Sequence, residues 1–225
     1  KFDDILTCTR NDDIIYHSTS GSTGEPFQIA YSKFEVHTGH IRLLWVLMKY
    51  GYTPFKRIAL VTKNEPGQKF DVEEDISIIG RLQRLFHIFE REVISIYEST
   101  DRIIEKLERT KPYVLWTTPS AATVIAQELK RQGKKLQIPL LLLISENVSD
   151  KEASLFVEYL CINYINHYGC MEAPTMSYGF NNNVEQVSIP YFVLFEQTNM
   201  RKVDKTPIGD ILITNLDNKT MPFIR

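Results

Sequence analysis

Cysteine is scarce in this chain. The three present, Cys8, Cys161 and Cys170, are scattered and form no C-x-x-C pair. Neither a zinc site nor a disulfide framework is therefore expected, and a reducing, cytoplasmic setting is the simple expectation. Charge of one sign is not in excess either: 26 Lys and Arg stand against 28 Asp and Glu, a net −2. That implies no bulk attraction to nucleic acid or to an anionic membrane surface. No apolar run is long enough to span a bilayer, and no stretch reads as a signal peptide. Internal repeats and low-complexity tracts are missing as well. What remains is 225 residues of mixed composition, enough to bury a substantial core.

Strand and helix patterns alternate along most of that length. Ile14-Ile15-Tyr16 and Phe27 to Tyr31 read as strands. Ser32 and Glu35 make a capping box. The helix behind it carries Ile41, Leu44, Trp45 and Met48 at i, i+3, i+4 and i+7, predicting one buried stripe, with Gly51 as its stop. His37 and His40 read as partly exposed residues of this helix. Strands follow at Arg57–Thr62, Val93–Ile96 and Tyr113–Trp116, separated by a helix around Ile76–Phe86 and another over Thr100–Arg109. Thr118 caps a helix with Pro119 at its first position and Gly133 past its end.

Pro139 to Ser145 is a short continuous apolar run, the pattern of a central strand buried on both faces. Ser149 and Glu152 form a second capping box for a helix ending near Leu160. Cys161 to Asn166 is the next strand. Beyond Tyr191 the texture changes to two strands, Tyr191–Phe195 and Ile208–Asn215, with Pro207 and Gly209 marking a turn between them. The predicted fold is α/β: a mixed, largely parallel sheet layered with helices, and a small antiparallel β piece near the C-terminal end. Residues 1–184 would form the core and residues 185–225 the β-rich segment.

The densest chemical signal is Ser18-Thr19-Ser20-Gly21-Ser22-Thr23-Gly24-Glu25-Pro26. Glycines let a loop turn its N–H groups inward, and hydroxyls beside them complete a nest for a phosphate. The same composition also suits a solvated Ser/Gly turn. It is neither a Walker A loop nor a G-x-G-x-x-G turn. Ser145-Glu146-Asn147 and His167-Tyr168-Gly169-Cys170-Met171-Glu172 both follow strands, at the sheet edge where open α/β folds place ligands. Trp45 and Trp116 fit either an aromatic-friendly pocket or the core.

Thr19 to Pro26 resembles the phosphate loop of the adenylate-forming superfamily, which includes acyl-CoA synthetases and peptide-synthetase adenylation domains. Ser145-Glu146-Asn147 resembles that family's Gly-Ala/Ser-Glu-Pro segment beside the adenosine. Tyr168-Gly169-Cys170-Met171-Glu172 resembles its Tyr-Gly-x-Thr/Ser-Glu motif. Gly209 to Leu216 and Met221 to Arg225 resemble the run before its domain hinge. Wording such as Thr214-Asn215-Leu216 and Pro222-Phe223-Ile224-Arg225 is most similar to phenylacetate–CoA ligases and related capsule-cluster ligases.

This resemblance implies ATP-dependent conversion of a carboxylic acid to an acyl adenylate, then transfer to CoA or a carrier-protein thiol. It implies ATP and Mg²⁺ as cofactors. Thr19, Ser20, Gly21, Ser22, Thr23 and Gly24 would hold phosphates. Ser145, Glu146, Asn147, His167, Tyr168, Gly169 and Met171 would meet the adenosine. Glu172 and Thr23 would be catalytic and hold the metal. Two positions depart from the pattern. Met171 stands where the family has a Thr or Ser whose hydroxyl contacts the α-phosphate, and Glu25 and Phe27 stand where many members carry a Lys. An acyl-protein synthetase and a non-catalytic nucleotide- or acyl-binding module remain alternatives. The family's hinge and small C-terminal domain would follow Arg225, so the chain reads as the large-domain portion of such an enzyme.

Overall fold

A computed structural model describes residues 14–18, 28–63, 89–170, 173–181, 186–189, 193–203, 206–216 and 219–220. The expected helix around Ile76–Phe86 lies outside them. The chain divides into two compact units. The first comprises residues 1–45, 168–177 and 187–225; the second comprises residues 46–167 and 178–186.

The second unit is a layered α/β structure. Its strands are β3 (Ile58–Thr62), β4 (Arg91–Ser95), β5 (Val114–Thr117), β6 (Ile138–Leu143), β7 (Cys161–Tyr168) and β8 (Ser177–Phe180), in the sheet order β4-β3-β5-β6-β7-β8. From β4 to β7 every pairing is parallel. β8 reverses: Asn181 N–H donates to the Tyr164 carbonyl and Met176 N–H to the Tyr168 carbonyl, the pattern of an antiparallel partner. Helices α2 (Thr100–Thr110), α3 (Pro119–Gln132) and α4 (Asp150–Tyr159) connect the parallel strands. Their apolar stripes, including Ile104, Leu107, Ile125, Leu129 and Phe156, pack on one sheet face against Ala59, Ile94, Leu115, Leu141 and Tyr164. Leu140, Leu141, Leu142 and Leu143 are all buried, so β6 is the two-sided central strand that its continuous apolar run predicts.

Local signals set the ends of these helices. Thr118 Oγ1 accepts from Ala121 N–H with Pro119 beside it, and Gly133 closes α3 at φ 65°. At α4, Ser149 and Glu152 make both halves of their capping box. Lys111 ends α2 in the left-handed region at φ 46°.

The first unit holds two antiparallel pairs. β1 (Ile14–Ser18) pairs with β2 (Gln28–Ser32), closing with Ser18 opposite Gln28. β10 (Val193–Val203) pairs with β11 (Thr206–Asn215) as a long ribbon. The short β9 (Val187–Ser188) is followed by Ile189, whose N–H donates to the Met176 carbonyl. At the base of the ribbon Val193 and Ile213 pack with Cys170, Ala173 and Met176.

Two expectations are corrected. The ribbon does not turn at Pro207 and Gly209. Both lie inside β11, and Pro207 pairs with Lys202. Gly209 sits beside the register shift between Thr198 and Arg201, where a Cβ would fall 2.6 Å from Met200 Sδ and 2.8 Å from the Thr198 carbonyl. Glycine there serves a bulge, not a turn.

The second correction concerns helix α1 (Lys33–Lys49). Ile41, Trp45 and Met48 are 62%, 42% and 51% exposed, whereas Leu43, Val46 and Leu47 are buried. The helix carries two apolar stripes on nearly opposite sides, roughly 155° apart, and periodicity favours the longer one. Packing selects the other, and it draws Arg42 down to 6% exposure.

Candidate functional site

The expected phosphate loop, including Thr19, Ser20, Gly21, Ser22, Thr23 and Gly24, lies outside the described residues. Its frame does not. β1 and β2 present their paired ends, Ser18 and Gln28, on either side of residues 19–27. β2 runs straight into α1 through a capping box: Ser32 N–H donates to Glu35 Oε2 at 2.6 Å, and Glu35 N–H to Ser32 Oγ at 3.3 Å.

Glu35 has a second task. Its carboxylate accepts from Lys219 N–H at 2.6 Å, Thr220 N–H at 3.0 Å and Thr220 Oγ1 at 2.7 Å. The residues just before Met221–Arg225 are thus clasped to the helix that follows the loop. Burial works to raise the Glu35 carboxyl, but the bonds from Thr220 and Ser32 outweigh it and hold it below its ordinary value.

Met171 and Glu172 also lie outside the described residues, between two anchored flanks. Cys170 N–H donates to the Ala173 carbonyl at 3.1 Å, and Ala173 N–H returns to the Cys170 carbonyl at 3.2 Å. Tyr168, 44% exposed at the end of β7, is held through its carbonyl by Met176 N–H. Gly169 follows, half-buried. The strands framing the loop and the Tyr168–Ser177 segment belong to the same compact unit.

Ser145, Glu146 and Asn147 lie exposed in the second unit, just past the carboxyl end of β6. Ser145 adopts φ 70°, a left-handed conformation uncommon for a residue with a Cβ and concentrated at functional loops. Glu146 is engaged by protein: Oε2 accepts from Ser120 N–H and Oε1 from Ser120 Oγ, each at 2.9 Å. A carboxylate at the α3 N-terminus satisfies an orphan N–H and favours the helix dipole. Ser120 escaped the sequence reading. The signal was present: Thr118-Pro119-Ser120 follows a strand at the same sheet edge as Ser145 and caps a helix there.

His167 ends the second unit's part of β7. Burial alone pushes its imidazole down to about 4, so it is neutral at physiological pH. Its Nε2 is buried and has no hydrogen-bond partner, and the same holds for Trp116 Nε1 on β5. Cys161, at the other end of β7, is packed in the core with its thiol pushed up to about 12 by burial; it is inert as a nucleophile.

Mg²⁺ binds oxygen and keeps several positions for water and phosphate, so one carboxylate suffices to bring it to a nucleotide. Glu172 and Thr23 carry oxygen donors of that kind by residue type, and both lie outside the described residues. Among the described residues no group of three or more His, Cys, Asp or Glu is clustered to hold a metal ion.

No protein-family profile matches the chain, and no curated protein does. Solved structures of AMP-forming acid ligases match most of its length and share its fold. A 2-hydroxyisobutyryl-CoA ligase in complex with 2-HIB-AMP superposes with a TM-score of 0.66 at 17% identity, covering 97% of this chain and 47% of that one. An acyl-CoA synthetase (AMP-forming)/AMP-acid ligase II-like protein from Dyadobacter fermentans gives 0.59 at 17% identity, with 92% and 54% covered. O-succinylbenzoate coenzyme A synthetase from Bacillus subtilis in complex with AMP gives 0.61 at 13% identity, with 90% and 40% covered. The chain spans roughly half the length of these structures. Its mixed, largely parallel sheet with helices and small antiparallel pairs is the fold expected from its sequence.

Proposed function

We propose that this protein is part of an ATP-dependent acid–thiol ligase, which converts a carboxylic acid to its acyl adenylate with release of pyrophosphate and then passes the acyl group to CoA. The observation that supports the reading is that the described flanks of two motifs share one unit on this fold. The strands that frame residues 19–27 and the segments on either side of residues 171–172 fall in one compact unit. These are the stretches that resemble the family's phosphate loop and its Tyr-Gly…Glu motif.

In this reading Thr19 to Gly24 hold the outer phosphates through N–H groups and hydroxyls. Tyr168 and Gly169 flank the adenine, and the loop at Ser145–Asn147 lies beside the nucleoside. Glu146 acts there through Ser120, by fixing the loop to the α3 N-terminus. Glu172, with Thr23, holds Mg²⁺, which supplies neutralisation of phosphate charge. The protein's work is positioning and electrostatic stabilisation, the main demands of transfer at phosphorus. The Thr-Asn-Leu and Pro-Phe-Ile-Arg wording supports the phenylacetate–CoA ligase side of the family.

Met171 favours one second reading, a nucleotide- or acyl-binding module without turnover. A thioether cannot donate to the α-phosphate oxygens. Charge grows on those oxygens during attack, so a missing donor costs the transition state more than the ground state.

Pyrophosphate exchange by the full-length protein tests both readings. Met171→Thr is expected to raise exchange roughly a hundredfold with little change in ATP affinity. Glu172→Gln is expected to lower it and to shift the Mg²⁺ requirement upward. An exchanging wild type indifferent to Glu172→Gln would remove the metal assignment.

A further inference from the structure

We infer that Glu35 is a positioning residue: its carboxylate fixes the spacing between the frame of the phosphate loop and the run that begins at Met221, so that both stretches meet one nucleotide in a set geometry; the inference rests on the ligase reading above. Ser32, where β2 hands over to α1, lies on one side of the carboxylate. Lys219 and Thr220, 184 and 185 positions away, lie on the other. All of these residues belong to the first unit.

The donors around Glu35 define its task. Oε2 accepts from Ser32 N–H at 2.6 Å and from Thr220 Oγ1 at 2.7 Å. Oε1 accepts from Lys219 N–H at 2.6 Å and from Thr220 N–H at 3.0 Å. An ionised carboxylate offers about four acceptor sites, and these four donors fill them. Nothing is left for a metal ion or a substrate, so Glu35 works through the segments it joins. Cap and clasp share one atom, Oε2. Thr220 is buried, at 6% exposure. Lys219 and Thr220 lie outside any helix or strand, and the carboxylate supplies the acceptor that a ladder would.

A capping box does not by itself require this. At α4 the Glu152 carboxylate accepts from Ser149 N–H in the same way, but beyond its own box it takes one hydroxyl, Thr123 Oγ1 at 3.3 Å. Glu35 takes two backbone amides as well as a hydroxyl, which fixes the path of a chain and not only a side chain. The arrangement needs a carboxylate of this length. Gln would turn an NH₂ toward groups that are all donors, and Asp is one methylene short of reaching both segments.

The test is pyrophosphate exchange by the full-length protein with substitutions that separate the two tasks. Thr220→Val removes the hydroxyl donor and leaves the cap. Ser32→Ala removes the hydroxyl that accepts from Glu35 N–H at 3.3 Å and leaves the clasp. Thr220→Val is expected to lower kcat roughly tenfold to a hundredfold, the effect of a displacement of about 1 Å far from the chemistry, with the KM for the acid unchanged. Thr220→Ser, which keeps the hydroxyl, should restore kcat, and Ser32→Ala should leave it unchanged. A contact that only stabilised the fold would instead give losses that track the unfolding midpoint in every variant. Full kcat in Thr220→Val, or equal losses in Thr220→Val and Ser32→Ala, would overturn the inference. A wild type without exchange counts against the ligase reading, and amide hydrogen exchange then decides the clasp. Thr220→Val should speed exchange across residues 221–225 and Ser32→Ala should not; unchanged exchange there in Thr220→Val overturns the inference too.

Discussion

The sheet of the second unit and the ribbon of the first are both rich in Leu, Ile and Val, yet they treat those residues differently. In β5 and β6, Val114, Leu115 and Leu140 to Leu143 are all at most 1% exposed. In β10 and β11, Leu194, Met200 and Ile211 are each more than 50% exposed. A sheet face is buried only when a second layer covers it. The parallel sheet has α2, α3 and α4 on one face. Within its unit, the ribbon is packed at its base, where Val193 meets Ala173 and Met176. The difference teaches that apolar content alone does not bury a strand; a covering layer does.

The sharpest way to break this comparison is a matched pair of truncations. Phe156→Ala in the layered core should cost about 3–5 kcal/mol, whereas Ile211→Ala on the ribbon should fall within about 0.5 kcal/mol. Urea unfolding of both variants checks it, and similar losses would show that the ribbon is covered after all.

A pH series sharpens the comparison from within the layered unit. The His167 imidazole is held down at about 4 when folded and titrates near 6.5 when unfolded. Between those values the unfolded chain binds a proton that the folded one refuses. Stability is therefore full above pH 6.5 and falls as pH drops toward 4. His167→Phe should flatten that slope, measured by denaturant midpoints across the window.

In the first unit the corresponding group is Glu35. Its carboxyl is held below the ordinary value, so its contribution is present above the unfolded carboxylate pKa and is lost as pH falls through the lower folded one. Glu35→Ala removes a capping partner and the Thr220 clasp together. The expected loss is about 1–2 kcal/mol, read by hydrogen exchange at the Lys219 and Thr220 amides. Unchanged protection there would show that the clasp does not hold this segment.

The parts that were legible share a cause. Capping boxes at Ser32/Glu35 and Ser149/Glu152, the Thr118-Pro119 start, the Gly133 stop and the Leu run of β6 are local patterns, and local chemistry settles them. The loop motifs were legible as wording for the same reason. What escaped needed a partner from elsewhere in the chain. Ser120 is tied to the Ser145–Asn147 loop because Glu146, 26 positions away, bonds to it. Pro207 and Gly209 read as a turn because their bulge partners, Thr198 and Met200, are invisible in a one-dimensional pattern.

Sequence alone determined the α/β class, the alternation of strand and helix and the position of nearly every described helix end. Each depends on contacts within about one turn or one strand step. Tertiary structure decided which apolar stripe of α1 is buried, because periodicity favours Ile41-Leu44-Trp45-Met48 whereas packing takes Leu43, Val46 and Leu47. It decided that Glu146 braces a helix, and that Trp116 and His167 share a sheet face with their nitrogens unmet. Sheet register is the physical reason: it brings together residues 51 positions apart by pairing β5 with β6 and β6 with β7, and no local propensity encodes which strands become neighbours.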